Sequence, residues 1–397
     1  MSAPVAAPYV PAAASRLRPD ALGVLLTAVG VLALFGLPFV LFKANRILPG
    51  EPRSLLAVLP AAGAWGCGAG LLLAALVAVL ARDARLRLGG ALAGLVALAL
   101  AVAASGDILT PPGNNVVRVA PGGAFWVLLL CLGLLATDAI TRLRPGPLTR
   151  VLLLAGFFVV MGLSLAHGTF DHLSVMREYA VNSERFWREL LRHVWLALGS
   201  LGAAVLVALP LGILCHRVPR LRPGVLGTLN VIQTVPSIAL FGILMAPLAA
   251  LATAWPWAAA LGVHGIGAAP AAVALFLYSL LPVVANTAAG LGRVSRAAVE
   301  AAHGMGMTRW QVLSAVELTL ALPVILTGIR VVLVQNIGMV TVAALIGGGG
   351  LGTFVFQGIG QTAMDLVLLG AIPIVALAFT AAVLLDALVE VLERTKA

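Results

Sequence analysis

The sequence predicts an all-α integral membrane protein with about ten transmembrane helices. Of its 397 residues, 61% are hydrophobic and only 10% are charged, and the mean hydropathy is +1.08. A soluble domain carries about 25% charged residues and has no means of burying so much apolar surface. The apolar residues form continuous runs of about 18 to 25 residues, which suits helices rather than the ~10-residue alternating strands of a barrel.

The apolar runs supply ten candidate spans. The first run, Ala21 to Phe42, follows Arg16 and Arg18 and is too long for the apolar core of a signal peptide, so we expect a retained span. The expected spans cover residues 21–42, 54–80, 88–105, 123–140, 151–167, 194–215, 224–251, 269–290, 322–346 and 366–390.

Loop charges orient these spans. With the N-terminus in the cytoplasm, 16 of the 25 Lys and Arg residues lie on the cytoplasmic side and eight lie outside, while Arg330 falls within a span. This bias predicts that both termini are cytoplasmic. The net charge of +10 is spread over short loops instead of forming one patch, which argues against nucleic-acid binding.

Segment 168–193 divides the chain. It carries half of the outside charges, and Phe186, Trp187, Leu190 and Leu191 share one helical face, which predicts an amphipathic helix at the outer interface. Earlier spans are mostly Ala, Leu, Val and Gly, whereas later spans carry polar groups that are expensive in a membrane. We therefore predict an accessory module of about five helices (1–170), an extracytoplasmic connector (171–193) and a working core (194–397).

Motifs for enzyme chemistry are missing from the sequence. The two lysines, Lys43 and Lys396, do not follow a Gly-rich loop, so no P-loop ATPase is expected. The run 347–352 matches GxGxxG but follows a span, and we interpret it as a tight extracellular turn. Six scattered histidines and three separate cysteines predict no metal site, no catalytic residue and no bound cofactor.

The segment 291–323 is the longest amphipathic stretch between two spans. Ser295 is placed to cap a short helix that runs to about His303, and the glycines at 304 and 306 then break it. Thr308 and Gln311 have the spacing of a capping box that opens a second helix. The pattern predicts an exposed helical projection on the cytoplasmic side, which is suited to docking a partner.

This segment resembles the EAA loop of ABC importer membrane subunits. The resemblance rests on Glu300-Ala301-Ala302 followed by Gly306, and continues as Val316 and Leu318, where Thr319 replaces the usual Pro. It implies that the loop couples transport to an ATPase subunit. The residues implied to form this coupling loop are Glu300, Ala301, Ala302, Gly304, Gly306 and Arg309.

Other motifs resemble the quaternary-amine branch of these importers, which carries glycine betaine, choline or carnitine. Residues 230–237 (NVIQTVPS) resemble its signature, and residues 278–287, 328–330 and 346–352 fit as well. The resemblance implies a five-helix type I (MetI-like) core in the bacterial inner membrane, and the additional N-terminal spans resemble the long Yeh-type permease. It also implies an ATPase subunit carrying ATP and Mg, an extracytoplasmic substrate-binding protein and a second permease subunit, either identical or a shorter homologue.

Polar residues of the core spans are the candidates for a translocation path. Pro236 lacks an N–H and is expected to break its helix and free backbone carbonyls. Because the chain is poor in aromatic residues, substrate selection by a separate binding protein is favoured. The predicted path residues are Gln233, Thr234, Pro236, Ser237, Tyr278, Asn286, Gln335 and Asn336, for each of which interhelical hydrogen bonding is the competing role.

Three alternatives stay open at this point. In the first alternative, the importer carries another small solute, such as methionine or a different amino acid. In the second alternative, the chain is a self-contained secondary transporter. The lack of a carboxylate deep in any span weakens this hypothesis. In the third alternative, the N-terminal module is an interaction or assembly unit, and transport is confined to residues 190–390.

Overall fold

The computed structural model describes residues 20–46, 48–114 and 116–394. Arg16, Arg18 and Lys396, which were used to orient the spans, lie outside these ranges. Within them, nine helices are long and apolar enough to cross a membrane, which confirms the all-α membrane class. The chain divides into two compact units, Met1–Pro145 and Gly146–Ala397.

The first unit combines helices with a small antiparallel sheet of strand order β2-β1-β3. Close helix packing depends on small residues: a Cβ on Gly23 would lie 2.2 Å from the carbonyl oxygen of Ala78. Its elements are α1 (Ala21–Gly36), β1 (Val40–Lys43), β2 (Glu51–Arg53), α2 (Leu55–Val58), α3 (Ala61–Leu80), α4 (Ala84–Leu109), β3 (Arg118–Pro121) and α5 (Gly123–Leu143).

The first predicted span is wrong in its extent. Helix α1 stops at Gly36, two residues before Pro38, and the chain then enters strand β1 instead of continuing as helix to residue 42. Sixteen residues give a helix of about 24 Å, which is shorter than the ~30 Å hydrocarbon layer. The run of apolar letters hid this end, because Phe39 and Val40 are buried in strand-like backbone and not in a helix.

Four charged side chains join the ends of three helices in the first unit. Arg87 of α4 is buried and donates two hydrogen bonds to Asp20, at 2.7 and 3.0 Å, while also lying 3.4 Å from Asp138 of α5. The more exposed Arg142 reaches both carboxylates at 2.8 and 2.9 Å. Asp20 also caps α1 through the N–H of Gly23. Hydrogen bonding by Arg87 holds the pKa of Asp20 far below its usual range.

The second unit is built around three mutually packed helices, α7, α11 and α14. Its buried side chains form clusters between these helices and α15 and α16. Its elements are α6 (Pro147–Ala166), α7 (Ser174–Arg217), α8 (Arg222–Thr234), α9 (Ser237–Ala254), α10 (Pro256–Ala260), α11 (Ala268–Gly292), α12 (Arg296–Gly304), α13 (Arg309–Gln311), a π-helical segment (Val312–Glu317), α14 (Leu318–Ala343), a 3-10 turn (Ala344–Ile346), α15 (Gly352–Gly360) and α16 (Met364–Arg394).

Most of the predicted connector lies in α7, which is kinked at Asn182; the predicted amphipathic segment after the kink is continuous with the following span. The backbone leaves helical geometry only at Asn182, whose amide donates to Glu178 O at 2.9 Å, and then continues into the span. Phe186 is buried against α15, while Trp187 and Leu191 are exposed. The four apolar residues therefore split between the core and the surface.

The division of the chain by contacts does not follow the predicted boundary at residue 170. By contacts, helix α6 falls in the second unit, where it packs on α16, while the module boundary itself stays a prediction. Cys67, Cys131 and Cys215 are all free and buried, as expected for small apolar side chains.

Candidate functional site

The candidate coupling loop is a rigid projection held by two caps. Ser295 accepts a hydrogen bond from Ala298 N at 3.3 Å and starts α12, which ends at Gly304. Gly306 then takes a φ of +81°, a conformation that side chains disfavour. The predicted capping box is confirmed: Thr308 Oγ1 accepts from Gln311 N, and Gln311 Oε1 accepts from Thr308 N at 2.8 Å.

The surface of this loop is available for contact. Glu300 and Arg309 are exposed, and Met305 and Trp310 are 77% and 72% exposed. Ala302 is the buried exception, so a larger side chain there would push α12 off its support. Exposed Trp and Met side chains on the same loop as an exposed carboxylate are suited to contact with a protein partner.

The second helix of the loop continues directly into the next span. A single helical rod runs from Arg309 to Ile346, and its π-helical segment carries Glu317. Glu317 is buried and pairs with Arg217 at the end of α7. This ion pair, missed by the sequence analysis, ties the loop to a second span. The sequence did hold a signal for this pair. Glu317 is an acidic residue beside one span, and Arg217 is a basic residue at the end of another.

The break at Pro236 is confirmed, and α11 holds it in place. Helix α8 ends at Thr234, and Pro236 caps α9. The hydroxyl of Tyr278 donates to Val235 O, and Gln233 Nε2 donates to Tyr278 O at 2.8 Å. We call Gln233, Val235, Pro236 and Tyr278 the Pro236 latch. The Tyr278 ring is buried in a cluster with Phe241, so the latch is firmly seated.

The remaining path candidates separate into exposed and packed groups. Thr234 and Pro236 are exposed and Ser237 is half-buried beside the break. Asn286 is half-buried and donates to Pro282 O at 2.8 Å, while a Cβ on Gly328 would lie 2.7 Å from the Asn286 Cβ. The structure thus packs Asn286 against α14.

Gln335 and Asn336 have different surroundings. Gln335 is half-buried and lies 3.5 Å from Met339 Sδ. Asn336 is fully buried, and its Nδ2 donates to Ser200 Oγ at 3.2 Å and to Ser279 Oγ at 3.0 Å. It therefore links α14 to α7 and α11, which is the interhelical role that competes with path lining.

Arg330 is paired within its own unit. It contacts Asp386 of α16, whose other carboxylate oxygen accepts from Arg150 Nη1 of α6 at 2.5 Å. Arg150 also pairs with Glu390, and Arg394 donates to Glu390, four residues earlier on α16, at 2.6 Å. The network joins α6, α14 and α16 and neutralises a guanidinium that would be costly in a span.

Comparisons with known proteins match both parts of the chain to transport permeases. Residues 20–176 match the family described as ABC transporter permease YehY, N-terminal domain, and residues 208–397 match the binding-protein-dependent transport system inner membrane component. The chain is 45% identical over 187 residues to the osmoprotectant import permease protein OsmW of Salmonella typhimurium, covering 47% of this chain and 82% of that one.

Two further relatives have similar coverage. Identity is 38% over 187 residues with the carnitine transport permease protein OpuCB of Listeria monocytogenes, covering 47% of this chain and 78% of the relative. It is 39% over 213 residues with the choline transport system permease protein OpuBD of Bacillus subtilis, covering 53% and 87%. A chain of the inward-facing MetNI methionine ABC transporter matches 52% of this chain and 95% of its own length, at 20% identity and a TM-score of 0.43.

Fold, loop and matches together define a class, the multi-pass inner-membrane permease subunit of an ABC importer. Within it, the chain belongs to the binding-protein-dependent transport system inner membrane component family and carries the N-terminal domain typical of YehY permeases.

Proposed function

We propose that this chain forms the translocation path of an ATP-driven importer for quaternary-amine osmoprotectants such as glycine betaine. The relatives named for osmoprotectant, carnitine and choline transport support this cargo class. In this proposal the chain has no ATPase machinery of its own. ATP and Mg are bound by a partner ATPase subunit, a separate binding protein delivers the solute, and both termini are cytoplasmic.

The observation that carries the proposal is the exposed loop and its connection to two spans, through the helical rod and through the Glu317–Arg217 ion pair. An ATPase bound at Glu300, Met305 and Trp310 would push on α12. Glu317, at the base of the loop, would pass that movement to α7 through Arg217. A loop without this ion pair, in which Glu317 is buried and Arg217 is exposed, would lack that link to α7.

The path itself is proposed to run along the exposed side of the Pro236 break, at Thr234, Pro236 and Ser237. Neutral hydroxyls and backbone carbonyls suit a bulky, weakly hydrated quaternary ammonium group, because they offer no fixed charge to trap it. A second permease subunit, either a copy of this chain or a shorter homologue, would face this side and complete the path. Asn336 then serves packing, and Gln233 and Tyr278 hold the break.

The test is co-purification in mild detergent from native membranes through a C-terminal tag. Wild type should retain an ATPase subunit, and Glu300→Lys should lose it while still inserting in the membrane. Glu393→Lys, which reverses an exposed charge on α16, is the matched control and should retain the ATPase. Retention by Glu300→Lys would contradict the docking role, and the lack of any ATPase with wild type would favour a self-contained carrier.

A further inference from the structure

A glycine turn lies at the far end of the helical rod that begins in the coupling loop. It spans residues 347–351, between the 3-10 turn and α15. Gly347, Gly349 and Gly350 have φ values of +75°, +75° and +83°, which other residues rarely adopt. Such a turn has few steric constraints of its own, so its conformation depends on what holds it.

The N-terminal part of α7 holds this turn through its backbone. Glu189 Oε2 accepts a hydrogen bond from Gly350 N at 2.6 Å, and His193 Nδ1 accepts one from Leu351 N at 3.3 Å. His193 is fully buried, and its Nε2 lies 2.9 Å from Ile337 O. Because Leu351 N–H and Ile337 O have fixed roles, the ring is neutral with its proton on Nε2. We call Glu189 and His193 the clasp.

Neighbouring side chains reinforce the same docking. Arg185 donates to Gln357 Oε1 at 2.9 Å, and its guanidinium carbon lies 5.1 Å from the centre of the Phe354 ring. A Cβ on Gly349 would lie 2.6 Å from the side chain of Arg192, so the turn passes close under α7. The contacts are polar, directional and concentrated on one turn and one short helix.

The opposite side of the turn contacts the segment that starts α11. Gly267 N donates to Ile346 O at 2.9 Å, directly before the turn. Helix α11 carries Tyr278 of the Pro236 latch. The turn therefore lies between α7 and the helix that holds the break in the path, at the membrane face opposite the coupling loop.

We propose that Glu189 and His193 are positioning residues of the transport cycle. With the clasp made, the glycine turn is held against α7 and the path is closed on this face. Movement of the rod during the ATPase cycle releases Gly350 and Leu351, and the glycines allow the turn to move away. This inference rests on the proposed importer function, but the contacts themselves belong to the chain alone.

The test is hydrogen–deuterium exchange, resolved to single amides, on the chain and its ATPase complex in nanodiscs. In the nucleotide-free state the amides of Gly350 and Leu351 should be protected. Glu189→Ala should speed exchange at Gly350 about tenfold, on the scale of one hydrogen bond to a charged group. Glu184→Ala, an exposed carboxylate on the same helix, is the control and should leave it unchanged.

Comparing the complex without nucleotide and with an ATP analogue tests the role of the clasp in transport separately from the existence of its hydrogen bonds. In the complex, a non-hydrolysable ATP analogue should speed exchange at both amides about tenfold in wild type. In sealed proteoliposomes supplied with ATP, Glu189→Ala should lower solute uptake per ATP hydrolysed. Equal exchange at Gly350 in wild type and Glu189→Ala overturns the clasp. Unchanged protection on adding the analogue to an active complex overturns its role in the cycle.

Two safeguards keep the test decisive. If the chain binds no ATPase subunit, the proposed importer function is contradicted. Protection of the Gly350 and Leu351 amides in the isolated chain still tests the clasp. If Glu189→Ala does not fold, Glu189→Gln, which retains a weaker acceptor, should show intermediate exchange at Gly350, and wild-type exchange there would overturn the proposal.

Discussion

Replacing Tyr278 with Phe removes one hydroxyl from the Pro236 latch and leaves the ring in place. Tyr278 is 5% exposed and Val235, whose carbonyl loses its donor, is half-buried, so the hydrogen bond is partly shielded from water. A neutral buried hydrogen bond contributes about 1 kcal/mol, and somewhat more where the remaining partner stays dry. A loss of about 1 to 2 kcal/mol corresponds to roughly a 5- to 30-fold shift from the latched to the released break.

The measurement is solute uptake and ATP hydrolysis by the reconstituted complex in the same vesicles. We expect Tyr278→Phe to lower the solute transported per ATP at least about fivefold, while ATP hydrolysis is retained, because the break no longer follows α11. Tyr179→Phe is the control, since its hydroxyl accepts from Trp187 at an exposed site. An unchanged ratio in an assembled Tyr278→Phe complex would refute the role assigned to the latch.

Charge and backbone geometry give three more measurable outcomes. Arg87→Met should lower the free energy of unfolding, measured by melting in detergent, by about 3 to 5 kcal/mol, because Arg87 is buried. Arg142→Met, at a side chain that is 43% exposed, should lower it by less than about 1 kcal/mol. Equal losses for the two variants would contradict the dependence on burial. Because Arg87 depresses the pKa of Asp20, its stabilisation should be constant from pH 7 to about 4 and fall below that, and Asp20→Asn should flatten the dependence of the melting midpoint. Gly306→Ala, at a φ of +81°, should weaken ATPase co-purification, whereas Gly304→Ala, in helical backbone with open space around it, should not; equal retention would remove the need for that turn.

Much of the fold followed from hydropathy and local capping signals. Long apolar runs located the spans, and Ser295 and Thr308 marked helix starts, because capping depends on a few adjacent residues. The break at Pro236 was predictable for the same reason, since a missing N–H acts locally. The two short helices of the candidate coupling loop were therefore predicted with nearly correct bounds.

Pairings between distant residues were not predictable from one sequence. Arg87 and Asp20, or Glu189 and Gly350, are far apart in the chain, and nothing in their spacing links them. Asn336 was expected beside a path because polar residues in spans often serve function. Its burial between Ser200 and Ser279 depends on how three helices pack, which periodicity does not specify.

Helix α6 has a consequence for dividing this chain experimentally. A cut at residue 170 would discard Arg150 and leave Asp386 and Glu390 without one of their basic partners, whereas a cut between Pro145 and Gly146 keeps the network whole. A failed fragment made with the first cut would thus report the loss of α6, with its packing on α16 and its counter-ion Arg150, and would not show a need for the helices before residue 146. Deletions that remove the N-terminal helices should therefore end at Pro145 and keep Gly146 onward.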